Sequence, residues 1–197
     1  MRKGIYRLIA VSELIEYASC RRGANERDLS RPSRRSMSYE GKRILAIVPA
    51  RGGVQRIPRK NLVSLRGHPL IYYAIRNGQQ CPYVTTTVVS TEDSEIARVA
   101  EELGSLVVPR PARLAQPETK TEPVLVDTVS VLKQQLKTYD AVLLLQPTTP
   151  FRKTETLSKT IELFFEEDAD SVVTVSPVPA KFNPYKGGTI EDGLLKP

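Results

Sequence analysis

The strongest constraint on the fold is a regular alternation, from residue 44 onward, of short apolar runs with amphipathic segments. Each run is apolar at successive positions, which is typical of a strand buried on both faces. Helices between such strands imply parallel pairing, and hence a Rossmann-like three-layer α/β/α sandwich with a mostly parallel sheet. The predicted strands are 44–50, 84–90, 106–108, 140–145 and 171–175. The predicted helices are 69–79, 92–103 and 154–166. One more helix is predicted from the apolar stripe of Leu125, Val129, Leu132 and Leu136.

The loops that follow the strands are the places where a ligand is expected. Open parallel sheets bind their ligands outside the carboxyl ends of the strands. This rule selects the loops after Ala50, Ser90 and Leu145.

The first of these loops reads RGGVQRIPRKN and combines two glycines with several cations. Glycines let backbone N–H groups approach an anion closely, and guanidinium or ammonium groups form charge-assisted bonds to phosphate. The spacing matches neither the GxxxxGK[ST] pattern nor the GxGxxG dinucleotide pattern. The loop therefore indicates a polyphosphate site of another type, with a basic solvated turn as the alternative.

Several separate motifs resemble, in order, those of the cytidylyltransferases that make CMP-activated nine-carbon acid sugars. This family includes the CMP-N-acylneuraminate (sialic acid), pseudaminate and legionaminate synthetases. The resemblance covers residues 42–184, and RIPRKN is closest to the pseudaminate and legionaminate branch. The motifs are PARGGVQRIPRKN, RGHPLIYYAI, VVSTEDSEIARVAEELG, RPARLAQPETKT and LLLQPTTPFRKTETL.

The resemblance implies transfer of CMP from CTP to the anomeric hydroxyl of a sialic, pseudaminic or legionaminic acid type sugar, with release of pyrophosphate. It implies Mg²⁺ as cofactor, CTP and the acid sugar as partners, and a homodimer. The low cysteine content separately predicts a reducing compartment and hence a cytoplasmic location. It assigns catalysis to Arg51 and Lys60. The residues assigned to the nucleotide are Arg51, Gly52, Gly53, Arg56, Lys60, Asn61 and Ser90, and those assigned to the substrate are Gln146, Thr148 and Thr149.

Some of these residues also have structural interpretations. Ser90 and Thr91 are suited to capping the helix that follows them, and QPTTP is suited to a strand-ending turn. His68 is predicted to be a turn residue. Arg113 either faces the sugar carboxylate or caps a loop.

The chain departs from the family pattern at two places. The family's usual GGSK reads GGVQ here. Val54 therefore lacks the hydroxyl of the family's serine, and Gln55 lacks the positive charge of its lysine. Glu92 stands where the family usually has an aspartate. Family members continue for some tens of residues beyond the position of Pro197 and return to the sheet with an Asp-containing segment of the DxD kind, which holds Mg²⁺; we expect this segment to be missing here. No metal ligand is therefore assigned, and weak or absent turnover is expected. The alternatives are a CMP-Kdo synthetase and a catalytically dead nucleotide-binding or dimerisation module.

The basic charge is concentrated before the first predicted strand. Residues 1–36 contribute +5 of the net charge of +7. We predict that residues 1–40 are a disordered extension with one possible helix (Ile5, Leu8, Ile9 and Ile15), and that Met37 is the true start. Residues 41–197 are expected to form a cytidylyltransferase-like domain that is incomplete at its C-terminus. Nucleic-acid binding is not predicted, since no aromatic interleaving accompanies the charge.

The remaining composition excludes several kinds of site and location. Two cysteines and one histidine exclude a zinc cluster and a disulfide framework. No apolar run approaches the ~20 residues needed to span a bilayer, so no membrane partner is expected.

Overall fold

The computed structural model describes residues 38–53 and 57–175, together with the backbone of residues 7–10, 189–191 and 194–196. Its strands are β1 (Arg7–Ala10), β2 (Ile44–Pro49), β3 (Ser64–Leu65), β4 (His68–Pro69), β5 (Val84–Thr91), β6 (Leu106–Pro109), β7 (Ala141–Leu144), β8 (Ser171–Val173), β9 (Thr189–Glu191) and β10 (Leu194–Lys196). Its α-helices are α1 (Leu70–Gln80), α2 (Ser94–Glu102), α3 (Thr121–Gln134) and α4 (Thr154–Glu166).

The central sheet has the strand order β6-β5-β2-β7-β1-β8. Strand β2 pairs in parallel with β5 and β7, and β5 pairs in parallel with β6. Strand β1 is antiparallel to both of its neighbours, β7 and β8. The α/β fold with a parallel central sheet is confirmed.

Helices cover both faces of this sheet because β2 is apolar on both of its faces. Ile44, Ala46 and Val48 belong to a core cluster with residues of α1, α2 and α4. The intervening Leu45 and Ile47 belong to a second cluster with residues of α3. All five of these side chains are fully buried. The alternation of faces along one strand therefore produces the three layers.

Helix α2 is held by a cap that differs from the predicted one. The Asp93 side chain accepts hydrogen bonds from the backbone N–H groups of Glu95 (3.0 Å) and Ile96 (2.9 Å). Ser90 and Thr91 lie inside β5 instead, so the prediction that they cap this helix was wrong. The predicted stop at Gly104 agrees with the structure, where this residue has φ = +76° directly beyond the helix.

Two further residues lie outside the elements predicted for them. Leu136 is 91% exposed with φ = +58°, because α3 ends at Gln134 and the chain turns back. His68 is not a turn residue but pairs with Leu65 in the β3–β4 hairpin. The turn itself is made by Arg66 and Gly67, both at positive φ, as two-residue hairpins require.

The N-terminal extension contributes to the sheet, which the sequence did not predict. Residues 7–10 were expected in a helix or a disordered segment, and they form β1. An apolar run this short has no decisive periodicity, so pairing with distant strands decides its conformation. The rest of the predicted disorder, and the predicted start at Met37, fall on residues outside those described.

Candidate active site

A cavity of about 310 Å³ lies at the carboxyl ends of the strands, where a ligand was expected. Four cationic residues line it, Arg51, Lys60, Arg110 and Lys120, and no described lining residue carries a carboxylate. The remaining lining residues are Pro49, Asn61, Leu114, Gln116, Pro117, Thr119, Thr121, Val124, Gln146, Pro147 and Thr148. The cavity is therefore suited to a polyanion.

The first loop is tied to its surroundings through Arg51. The side chain of Arg51 donates from Nη1 to the carbonyl of Gln116 at 3.0 Å, which joins the loop to the opposite wall of the cavity. The carbonyl of Arg51 accepts a 2.9 Å hydrogen bond from Nδ2 of the buried Asn61. Asn61 thus fixes the backbone from which Arg51 projects.

The same loop is also anchored to the start of α2. Arg59, which has φ = +48°, forms ion pairs from Nη2 with Asp93 (3.1 Å) and Glu95 (2.7 Å). The N–H of Gly52 donates to Oε1 of Glu92 at 2.8 Å. These contacts hold both ends of the described loop against one helix terminus.

Gly52→Ala is expected to disturb this anchor. A Cβ at position 52 would lie 2.3 Å from Oδ2 of Asp93, the residue that caps α2. Relieving that clash is expected to cost about 1–3 kcal/mol and to lower the melting temperature. Gly53→Ala is the matched control, because a Cβ there would meet no atom of the described residues within 4 Å. Thermal unfolding of both variants tests this, and equal melting temperatures would contradict it.

Arg110 is the most deeply buried of the cavity's cations. It follows β6 and is 8% exposed. Its Nη2 donates to the carbonyl of Ser90 at 2.7 Å, and its Nε contacts the Ser90 hydroxyl at 3.4 Å. Burial lowers the pKa of Arg110, but arginine starts from so high a value that the charge is retained. The site therefore contains a rigidly held positive charge.

A protein-family model described as Cytidylyltransferase matches residues 45–183. The chain belongs to the cytidylyltransferase family. Its alignment with the CMP-N,N'-diacetyllegionaminic acid synthase of Legionella pneumophila is 38% identical over 156 residues and covers 79% of this chain and 67% of that protein. Its alignment with the pseudaminic acid cytidylyltransferase of Campylobacter jejuni is 33% identical over 126 residues and covers 64% and 54%, respectively. These relatives confirm the resemblance seen in the motifs.

A solved structure gives an independent comparison of the fold. A CMP:2-keto-3-deoxy-manno-octonic acid synthetase complexed with CTP superposes with a TM-score of 0.54 at 21% identity. The match covers 64% of this chain and 49% of that one, and at this identity it supports the fold alone. The chain spans from about half to two thirds of the length of the relatives compared here.

The nucleotide residues predicted for this cytidylyltransferase differ in where they lie relative to the cavity. Arg51, Lys60 and Asn61 line the cavity. Gly52 and Gly53 lie beside it without lining it, and Gly52 directs its N–H to Glu92.

The predictions for Val54, Gln55 and Arg56 fall outside the described residues. Ser90 is buried behind the cavity, where it contacts Arg110.

The substrate residues predicted at the end of β7 are only partly in the cavity. Gln146 and Thr148 line it, whereas Thr149 does not. The Thr149 N–H donates to the carbonyl of Gln146 at 3.2 Å, and Arg152 donates to the same carbonyl. The QPTTP segment is thus a turn that also presents two polar side chains to the cavity.

Arg113 is not among the residues that line the cavity. Its Nη2 lies 3.5 Å from Oδ1 of Asp127 on α3. Burial raises the pKa of Asp127, although the Arg113 guanidinium acts in the opposite direction. Sequence reasoning gave no site role to five polar lining residues, Arg110, Gln116, Thr119, Lys120 and Thr121. The first could have been found by applying the strand-end rule to β6, which Arg110 directly follows.

The described residues do not provide a site for the Mg²⁺ that the family resemblance implies. They contain no group of three or more His, Cys, Asp or Glu side chains that could hold a metal ion. The carboxylates that follow β5 are engaged, since Glu92 accepts the Gly52 N–H at 2.8 Å and Asp93 caps α2. Asp140 precedes β7, at the amino end of that strand, and accepts the Arg43 N–H at 2.6 Å. The described residues therefore do not fit the ion, and none of the residue roles proposed for the reaction depends on it.

Proposed function

We propose that this chain binds CTP in the basic cavity and transfers CMP to the anomeric hydroxyl of a nine-carbon acid sugar of the legionaminic, pseudaminic or sialic acid type. In this reaction the anomeric oxygen forms a bond to the α-phosphorus. The bond from that phosphorus to the β-phosphate oxygen breaks, pyrophosphate leaves, and the hydroxyl proton passes to solvent or to the leaving group. The names of the aligned relatives support the choice of nucleotide and sugar class.

The observation that carries the proposal is the arrangement of cations around one cavity. Arg51 and Lys60 reach it from the loop after β2, and Arg110 and Lys120 reach it from the segment between β6 and α3. Transfer of a phosphoryl-type group depends mainly on positioning and on electrostatic stabilisation of the developing charge. Cations fixed before the substrate arrives supply both without reorganisation.

The residues that line the cavity are proposed to have different roles in binding and in catalysis. Arg51 and Lys60 are proposed to stabilise the charge that develops on the phosphates. Asn61 positions Arg51 through its carbonyl, as the 2.9 Å hydrogen bond indicates. Gln146 and Thr148, at the end of β7, supply neutral polar groups for the sugar side. Arg110 and Lys120 are proposed to hold the nucleotide.

We place the reaction in the cytoplasm because CTP is available there. No helix in the described ranges is long and apolar enough to cross a bilayer. The homodimer implied by the family resemblance stays a prediction.

The substrate proposal is tested by measuring pyrophosphate release from CTP with legionaminic, pseudaminic, N-acetylneuraminic or Kdo acid in turn. We expect slow release, above the sugar-free control, with at least one nine-carbon acid. The matched control replaces CTP with UTP and should give no release. Release with Kdo alone would instead favour the CMP-Kdo synthetase alternative. If none of the four sugars supports pyrophosphate release although CTP binds, the result would favour a nucleotide-binding module without turnover.

A further inference from the structure

The turn of residues 146–150 presents two polar side chains to the cavity but has few backbone donors of its own. Two of its five residues are proline, which has no N–H group. Its shape therefore depends on the donors that reach its carbonyl groups. The Gln146 carbonyl accepts the Thr149 N–H at 3.2 Å, and the Pro150 carbonyl accepts the Arg152 N–H at 3.1 Å.

A further donor to this turn comes from a distant helix. The side chain of Asn77, on α1, donates from Nδ2 to the Pro150 carbonyl at 3.3 Å. Asn77 is buried, and a buried amide that loses its partner is costly. The hydrogen bond therefore ties a buried helix residue to the end of the turn.

Gly78, the next residue on α1, allows the helix to come close enough for this contact. A Cβ at position 78 would lie 2.6 Å from Oγ1 of Thr87 and 3.2 Å from Cδ1 of Leu145. Leu145 leads from β7 directly into Gln146. Helix α1 thus holds the turn at both of its ends, by packing near Leu145 and by the hydrogen bond to Pro150.

We infer that Asn77 is a positioning residue for the acid sugar, which acts through the turn and does not line the cavity itself. By holding the Pro150 carbonyl, it fixes the segment from which Gln146 and Thr148 reach the cavity. A small displacement of groups that orient a substrate lowers the rate substantially. The inference rests on the proposed function, because it takes these two side chains as the sugar side of the site.

The test compares Asn77→Ala with Gln79→Ala, both made in the full chain. Gln79 lies on the same helix, and its Nε2 donates to the carbonyl of Leu103, directly after α2, at 2.9 Å. Gln79 also accepts a hydrogen bond from Arg76, so its truncation disturbs α1 at least as much. A second variant, Asn77→Leu, keeps a side chain that branches at Cγ but has no donor.

Amide hydrogen exchange of the nucleotide-free protein tests the positioning without any turnover. Mass spectrometry follows the peptides that cover residues 145–152. Relative to the unmodified chain, we expect about fivefold faster exchange at Thr149 and Arg152 in both Asn77 variants, and no change in Gln79→Ala. Equal exchange in all three variants would overturn the inference. Faster exchange in Asn77→Ala but not in Asn77→Leu would trace the effect to lost packing and would also overturn it.

Steady-state pyrophosphate release, with the nine-carbon acid that the unmodified chain uses, gives the second readout. We expect the KM for that sugar to rise roughly threefold to tenfold in both Asn77 variants, as loss of one neutral hydrogen bond implies. The dissociation constant for CTP, and both constants in Gln79→Ala, should stay close to those of the unmodified chain.

Two outcomes of the kinetic measurement have separate meanings. A dissociation constant for CTP that rises as much as the sugar KM would show a general disturbance of the cavity and would overturn the role of Asn77. If the unmodified chain releases no pyrophosphate with any sugar, the proposed function fails. Hydrogen exchange then decides by itself whether Asn77 positions the turn.

Discussion

Arg110→Met is expected to lower both the stability of the protein and its affinity for CTP. The substitution keeps an unbranched side chain but removes the guanidinium that donates to the Ser90 carbonyl at 2.7 Å. Loss of a hydrogen bond from a charged, buried donor costs about 1.5–3 kcal/mol. For a protein of this size the melting temperature should fall by roughly 4–10 °C.

The same substitution removes one of the four cations that line the cavity. We therefore expect the dissociation constant for CTP to rise by at least about tenfold, which corresponds to ~1.4 kcal/mol. Calorimetric titration, carried out well below the lowered melting temperature, separates the loss of binding from the loss of folding.

Ser90→Ala is the matched control for Arg110→Met. It removes only the hydroxyl at 3.4 Å and leaves the carbonyl to which Arg110 donates. We expect CTP affinity close to that of the unmodified chain. A large loss of affinity in Ser90→Ala would instead support direct contact between Ser90 and the nucleotide. Unchanged stability and affinity in Arg110→Met would contradict the role given to this residue.

Lys60→Met is expected to weaken CTP binding with little effect on folding. Lys60 lines the cavity at the end of the first loop and is partly exposed. A charge-assisted contact to phosphate contributes about 1.5–3 kcal/mol, so the dissociation constant should rise roughly 10–150-fold. Methionine preserves the length and the packing of the stem, and the melting temperature without nucleotide should change little.

Lys133→Met is the matched control for this charge change. Lys133 is exposed in the last turn of α3 and does not line the cavity. Both variants lose one positive charge, so a general electrostatic effect would weaken CTP binding equally in the two. We expect the loss only in Lys60→Met. Equal losses would contradict a direct role for Lys60 and would favour the interpretation of the loop as a solvated basic turn.

The sheet and one wall of the site could be predicted from sequence because both depend on local patterns. Uninterrupted apolar runs such as 44–48 identify strands that are buried on both faces. The strand-end rule then selected the loops in which the site lies, and the family resemblance assigned Lys60, Asn61 and Gln146 within those loops. Family motifs added the expectation of a nucleotide.

The other wall of the site depends on contacts between distant segments, which local patterns do not encode. Lys120 and Thr121 reach the cavity because the chain after β6 folds back over the ends of the central strands before α3 begins. β1 is a similar case, since its conformation is set by pairing with strands more than a hundred residues away. At Leu136 the local pattern predicted a helix where there is none. Its spacing fits the apolar stripe of α3, although that helix ends at Gln134.

The central claim is that the basic cavity is a CTP site, and thermal unfolding of the unmodified chain with CTP, ATP, GTP or UTP tests it most directly. A ligand that binds only the native state stabilises it by RT ln(1 + [L]/Kd), or about 2.7 kcal/mol at a hundredfold excess over Kd. We predict a cooperative transition that CTP raises by roughly 5–10 °C and that the other nucleotides raise much less. A cooperative transition that CTP leaves unchanged, or that all four nucleotides raise equally, would contradict the claim.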